Sequence, residues 1–430
     1  MYATLPTASE LKQYASITIC VILLWGTSWF IFKGTVLPGT EIFNMAALVI
    51  IGYVFGHTLE RYTTITPVVG MTLVGALFRT FYGKNFLENS TVDAIDYHLR
   101  RIYPVIILTK GPLSWNWNYI KRNSVKVFTL ATLPWIVECL TTAFLTHMLF
   151  GYPWYWGIHL GAILASVSPA VVVPTTLELN TKGFGLKNQI ALLVANAGGL
   201  DTAFTEGMFG VINSAVFSQS APIYRIVKAL LAVFVGIGLG IAWGVLADYL
   251  PDHSDFYAPT IRSLHIFAGG IFIMYAAGYF SWGGTSGVAI MVCAGAAATR
   301  WSRRGWPINN NPVSEVYKLL WRIFEPMLFT LSGYFLEAVL VRVATDSLWT
   351  EGTTPQDKFI ATQHSNMIVI AILTTSTLGS VLTTVLGPVL LSNDAKVVPE
   401  DIYRPQTLSP PSDSNRENNN LDNLQYIDAQ

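Results

Sequence analysis

The sequence predicts an all-α, polytopic membrane protein of about twelve transmembrane helices, and three observations carry that expectation. Hydrophobic residues make up 52% of the 430 and charged residues 12%, against roughly 25% charged in ordinary soluble domains. The apolar residues gather in blocks close to the ~20 residues that cross a bilayer. One block is broken by two prolines, and the next holds a lone acid. Lipid offers the backbone no hydrogen-bond partner, so such blocks span as helices.

The expected spans run in order through residues 15–35, 41–58, 66–82, 93–110, 124–150, 155–177, 188–216, 223–249, 261–280, 284–299, 314–343 and 365–392. The first follows Met1–Gln13 with no small-residue cleavage pattern, so it reads as a retained span. The fourth opens on Asp93, Asp96, Arg100 and Arg101, which leaves only its second half convincingly apolar, and Lys110 at its end is placed to snorkel. The fifth carries Glu138, an acid that must find a partner inside the bundle. The eleventh carries Lys318, Arg322 and Glu325, so it reads as a helix buried among others, with Glu325 paired to Arg322. Residues 1–392 thus form one transmembrane domain. Residues 393–430, rich in proline, asparagine and charge, read as a disordered polar tail.

Loop charge gives orientation. Lys121, Arg122 and Lys126 follow the fourth span, Lys182 and Lys187 the sixth, and Arg300, Arg303 and Arg304 the tenth. By the positive-inside rule these loops and both termini are cytoplasmic, although Arg225, Lys228 and the acidic 248–255 loop lean the other way. Tyr152–Trp156 reads as an interfacial aromatic belt, with His147 and His159 near it and no metal-ligand spacing between them. Lys plus Arg equals Asp plus Glu at 26 each, so there is no basic footprint for nucleic acid. Cys20, Cys139 and Cys293 lie in apolar runs and read as small core residues. Nothing calls for a cofactor, and lipid is the expected surround.

The informative stretch is Ser166-Val167-Ser168-Pro169-Ala170-Val171-Val172-Val173-Pro174. Each proline removes a donor and disfavours helix in the residue before it. Ser168, Pro169 and Pro174 are therefore the expected hinge, with Ala170, Val171, Val172 and Val173 extended between half-helices and their carbonyls free for an ion. A proline-kinked span without a ligand is the plainer alternative. Asp201 follows Gly198 and Gly199, which have no side chains and leave room for a crossing broken helix. Thr205 stands one turn on, on the same face, and adds a hydroxyl. Oxygen ligands suit a hard cation. Desolvation favours the neutral acid, so one carboxyl can hold a cation or a proton in turn. An Asp201 bonded to a basic or amide neighbour is the alternative. Glu206, roughly 140° around the helix from Asp201, faces elsewhere.

The Ser166–Pro174 motif, followed by Lys182-Gly183-Phe184-Gly185 and Ala197-Gly198-Gly199-Leu200-Asp201, resembles the NHA-type sodium/proton exchangers of the cation/proton antiporter-2 superfamily. The likeness runs from about Leu11 to Tyr334 and resumes near Ile368–Leu391, supported by Ile136-Val137-Glu138, Gly151-Tyr152-Pro153-Trp154 and Phe324-Glu325-Pro326. The resemblance implies an inverted-repeat antiporter fold with crossed broken helices, a homodimer, and exchange of Na⁺ or Li⁺ against H⁺ by alternating access. It implies no metal beyond Na⁺ or Li⁺ at Asp201.

Two departures stand against the family pattern. Thr202 occupies the place of the family's second acid; its hydroxyl can coordinate Na⁺ but cannot release a proton near neutral pH. Between about Leu348 and Gln363 two spans are missing, among them the second broken helix and an intramembrane arginine, which leaves the second repeat incomplete and Glu138 without a basic partner. Divergence and an incomplete or spliced chain explain that gap equally. The leading expectation is a monovalent cation/proton antiporter of the plasma or an organelle membrane. The alternative is a non-transporting or regulatory member of the same family. An enzyme or receptor is disfavoured by the lack of a Ser–His or His/Glu cluster and of a seven-span plan.

Overall fold

The computed structural model describes residues 8–335 and 355–394, apart from 64, 84–85, 88–89, 218–221, 281, 283 and 308–310. The expected tail from 395 onward, residues 336–343 of the eleventh span and the start of the expected gap lie outside the described residues. The helices are α1 (Ala8–Phe32), α2 (Glu41–Tyr62), α3 (Pro67–Tyr82), α4 (Ser90–Leu113), α5 (Trp117–Arg122), α6 (Ser124–Phe150), α7 (Trp154–Leu164), α8 (Pro169–Thr181), α9 (Ile190–Phe217), α10 (Pro222–Tyr249), α11 (Ala258–Tyr279), α12 (Thr285–Ser302), α13 (Pro312–Phe335) and α14 (Pro355–Leu390), with a 3₁₀ turn at Lys33–Val36. Among the described residues the one strand-like pairing is a single bridge between Phe184 and Asn393. The chain is all-α.

A helix stands at each expected span, and at the sixth stand two half-helices. Five regions are long and apolar enough by themselves to cross a membrane: Glu41–Tyr62, Ser124–Phe150, Leu230–Tyr249, Ala258–Tyr279 and Asn366–Leu390. Their outer faces carry bare apolar side chains, such as Phe144 and Leu149 on α6 and Phe234 on α10. In water such faces would be a liability; in lipid they cost nothing.

Hydrophobic attraction between helices vanishes in lipid, so close packing at small residues must hold the bundle. The contacts follow that rule. On α10, Gly236, Gly240 and Gly244 rest against the backbone of α12 at Thr285, Ala289 and Cys293. On α3, Gly75 rests on the backbone of α13 at Thr330, Gly333 and Tyr334. The main core, centred on Tyr103, Trp301, Tyr317 and Tyr334, joins α2, α3, α4, α12 and α13.

The polar first half of α4 is folded inward. Asp96 and Arg100 pair at 2.6 Å with both side chains buried, and the Arg101 guanidinium lies 3.6 Å over the Tyr97 ring. Removing one partner of a buried pair strands the other's charge, at about 3–5 kcal/mol. Arg100→Met is therefore expected to lower the melting temperature of the detergent-solubilised protein sharply, and the double change with Asp96→Leu to recover much of that loss.

The body extends slightly beyond the expected boundary at 392. The Gly185 N–H donates to Ser392 O (3.0 Å) and the Asp394 N–H to Gly183 O (2.9 Å), while Asp394 Oδ2 accepts from the Lys187 N–H at 3.0 Å. Asn393 and Asp394 thus belong to the helical body, clamped to the turn after α8.

Candidate ion site

The site begins with spacing along α7. Gly157, Gly161 and Ala165 recur every fourth residue, on one face. A Cβ on Gly157 would lie 3.0 Å from the Ala143 backbone, and one on Gly161 would meet the Cys139 backbone of α6, its Cα at 2.9 Å. α7 therefore lies directly on α6, and its last helical bond, Ala165 N–H to Gly161 O (2.9 Å), ends it beside α9.

Ser166, Val167 and Ser168 are not helical, and α8 then starts with Pro169 in its first turn after an extended Ser168 (φ −83°, ψ 105°). The interruption thus precedes the first proline. The expectation that Ala170, Val171, Val172 and Val173 run extended is corrected: all four are helical. Proline at the first helical position needs no donor and has φ preset for helix, so Pro169 opens α8 instead of breaking it. Pro174 lies inside α8 and is not a hinge. The carbonyls of the three valines are engaged as well. Thr175 Oγ1 donates to Val171 O (3.1 Å) and Val172 O (2.9 Å), and Thr176 Oγ1 to Val172 O (2.9 Å) and Val173 O (3.0 Å). Among Ala170–Val173, Ala170 alone has a carbonyl whose helical donor Pro174 removes.

Asp201 is 3% exposed, and its Oδ2 accepts the Val167 N–H at 2.8 Å. The carboxyl therefore sits against the interruption, near the positive end of the α8 dipole. Thr205, one turn on, is buried, and its hydroxyl meets no donor or acceptor among the described residues. The Thr202 hydroxyl donates back to Gly198 O at 2.9 Å, which leaves its lone pairs outward. Two buried oxygens, one ionisable, thus stand on one face of α9.

The neighbours differ from expectation in four places. A crossing helix was expected at Gly198 and Gly199; instead the Trp115 indole fills the place of a Gly199 side chain, and nothing lies within 4 Å of a Cβ on Gly198. Asn196 Oδ1 fixes that turn by accepting the Asn116 N–H at 3.1 Å. Glu325 does not pair with Arg322, which is exposed; it takes the Trp321 indole hydrogen bond and the charge of Lys110. Lys110 accordingly turns inward over Trp321 (5.1 Å) and does not snorkel. His159 does not stand at the interface but is buried.

Glu138 makes no ion pair among the described residues, and its charge acts on Asp201 across the α6–α9 contact. Trp135, one turn before it, stacks edge-on against Phe204 of α9 at 5.1 Å. Glu206 turns to α12, its Oε2 2.8 Å from where a Gly287 Cβ would stand. Reading the sequence missed the Val167 amide. The signal was present, because a proline that opens a helix places the irregular backbone before it.

A helical bundle whose interrupted helix offers an amide to a buried acid is the plan of a secondary transporter. The fold matches the sodium proton antiporter MjNhaP1 from Methanocaldococcus jannaschii, with TM-score 0.55, 16% identity, and coverage of 81% of this chain and 98% of that one. A second structure of the same antiporter gives TM-score 0.58 and 18% identity over 85% and 99%. Residues 45–350 match the family described as sodium/hydrogen exchanger, transmembrane, and the chain belongs to that family. Sodium/hydrogen exchanger 9B2 of Xenopus tropicalis is 30% identical over 336 residues, covering 77% of this chain and 61% of that protein. Its Homo sapiens counterpart is 29% identical over 343 residues, covering 78% and 62%. The chain thus spans about three fifths of the length of the relatives it matches.

Proposed function

We propose that this chain exchanges a monovalent cation, Na⁺ or Li⁺, for a proton across the membrane that holds it, with Asp201 carrying each in turn. The observation that carries this reading is the Asp201 carboxyl, buried yet held by the Val167 amide of an interrupted helix. A buried acid is expensive in a membrane and is retained where it handles ions or protons. The Thr205 hydroxyl, the lone pairs of Thr202 and the Ala170 carbonyl supply further hard oxygens at the same break. Ser168 and Pro169 are the proposed hinge on which access alternates. Glu138 adds negative potential from α6, and Glu325 belongs to a separate charge network with Lys110. Membership of the exchanger family supports the reading, and the non-transporting alternative is not favoured.

A homodimer with cytoplasmic termini belongs to the same proposal, on the loop charges and the family plan. The direct test is the full chain in proteoliposomes containing a pH dye. A Na⁺ or Li⁺ jump should drive proton efflux, and absence of any cation-dependent signal at every pH tried would end the proposal.

Stoichiometry follows from Thr202. One carboxyl trading one Na⁺ for one H⁺ moves no net charge, so clamping the membrane potential should leave the native rate unchanged. Thr202→Asp adds a second ionisable ligand. It is expected to tighten Na⁺ binding about tenfold, ~1.4 kcal/mol, and to make exchange respond to the potential. A native rate that already follows the voltage would refute the single-carboxyl cycle.

A further inference from the structure

His159 on α7 and His364 on α14 are 205 residues apart in sequence, and both are buried in the apolar interior, 0% and 1% exposed. His159 Nδ1 and His364 Nε2 are 3.1 Å apart. A hydrogen bond between two imidazole nitrogens needs one donor and one acceptor, so this contact holds one proton. Aromatic rings wall it off. Trp156 stands edge-on to both, with centroids 6.2 Å from His159 and 5.3 Å from His364, and Phe209 of α9 lies 5.3 Å from His159. His364 Nδ1 meets no donor or acceptor among the described residues.

We propose that His159 and His364 form a proton-operated latch, which ties the half-helix α7 to α14 while they share one proton and releases it when a second arrives. With both rings charged, each facing nitrogen is a donor, and the hydrogen bond becomes a contact between like charges in a low-dielectric interior.

The surroundings offer that second charge little relief. On the α6–α7 connection Tyr152 donates its hydroxyl to Gln363 Oε1 (2.9 Å). His147 of α6 contacts Tyr152 O at 2.6 Å. Cys139 of α6 lies against Ile158 O. From α9 the Asn213 amide reaches His159, whereas Asp201 is turned to Val167 and Glu206 to Gly287. No carboxylate pairs with His364 among the described residues.

α7 ends six residues beyond His159, at the interruption that presents the Val167 amide to Asp201. Releasing α7 from α14 therefore loosens the site at its far end. That consequence for transport rests on the exchange reading; the latch itself does not.

The test is hydrogen exchange on the full chain in lipid nanodiscs from about pH 8 to pH 5, the range in which histidine changes charge. Rates are corrected for intrinsic chemistry, and α11, which touches neither ring, serves as the internal reference. Native peptides from α7 and α14 should show a step of about tenfold in exchange on acidification, the equivalent of one pKa unit of coupling. His364→Gln, whose amide can still pair with His159 but takes no proton in this range, should abolish the step. Native α7 and α14 peptides that track α11 down to pH 5 would overturn the latch, as would a Gln variant that keeps the step. Should His364→Gln fail to fold, His159→Gln gives the same comparison, and the native pH series decides by itself whether the release occurs. A step that persists without transport would retain the latch while removing the exchanger.

Discussion

Asp201→Asn is expected to abolish cation-dependent proton movement while leaving the protein folded. The amide preserves shape and offers the Val167 N–H an oxygen at the same 2.8 Å position, so the helix interruption keeps its closure. What disappears is the negative charge and the exchangeable proton. A site stripped of its ionisable ligand should bind Na⁺ at least about a hundredfold more weakly, ~2.7 kcal/mol. Flux should fall to the level of empty vesicles. Stability should hold or rise, because an uncharged side chain at membrane depth costs less than a carboxylate. Two measurements separate the outcomes: proteoliposome flux for transport, and the Li⁺- or Na⁺-induced shift in melting temperature for binding. Near-native flux from the Asn variant would place the ion pathway elsewhere.

Gly75→Ala is expected to have the largest effect on folding. A Cβ at Gly75 would meet the Thr330 carbonyl oxygen and lie 2.6 Å from Tyr334 N and 3.0 Å from Gly333 C. A Cβ on Gly333 would in turn meet the Thr72 carbonyl. Both obstacles are backbone, which cannot rotate aside, so α3 and α13 must separate along their length. Overpacking of this kind costs about 3 kcal/mol, in a contact held by close approach. The folded, monodisperse fraction in detergent should collapse. Gly52→Ala makes an informative contrast, since its obstacle is the Thr330 side chain, which has other rotamers. Gly278, with nothing within 4 Å, should accept alanine without loss. Equal tolerance at Gly75 and Gly278 would show that the α3–α13 crossing is looser than described.

Much of the architecture could be read from the residues because membranes restrict the choices. Apolar blocks near bilayer length have one way to satisfy their backbones among helical and barrel solutions, and the absence of alternation selects helices. The Ser166–Pro174 motif marked both the interruption and the exchanger family. The errors came where a local rule admitted two outcomes. Two prolines five residues apart could bracket an extended stretch or open and decorate a helix, and Pro169 at the first helical position took the second course. Gly198 and Gly199 promised a close approach without naming the partner, which proved to be a tryptophan side chain at Gly199.

Charge pairing showed the same limit. Glu325 and Arg322 are three residues apart, which on a helix surface suffices for a pair, yet α4 brings Lys110 to Glu325 and leaves Arg322 outside. Nor could spacing reveal His159 and His364, because their contact joins helices separated by 205 residues.

By itself the sequence determined that this is a helical membrane protein with an acid beside an interrupted span, since the covalent backbone and the proline ring act over a few residues and lipid enforces the rest. Only the tertiary structure decided which atoms meet: the Val167 amide on Asp201, Trp115 on Gly199, Lys110 by Glu325, and the two histidines. Side-chain periodicity fixes which face a residue occupies, but the choice of partner for that face depends on how whole helices cross.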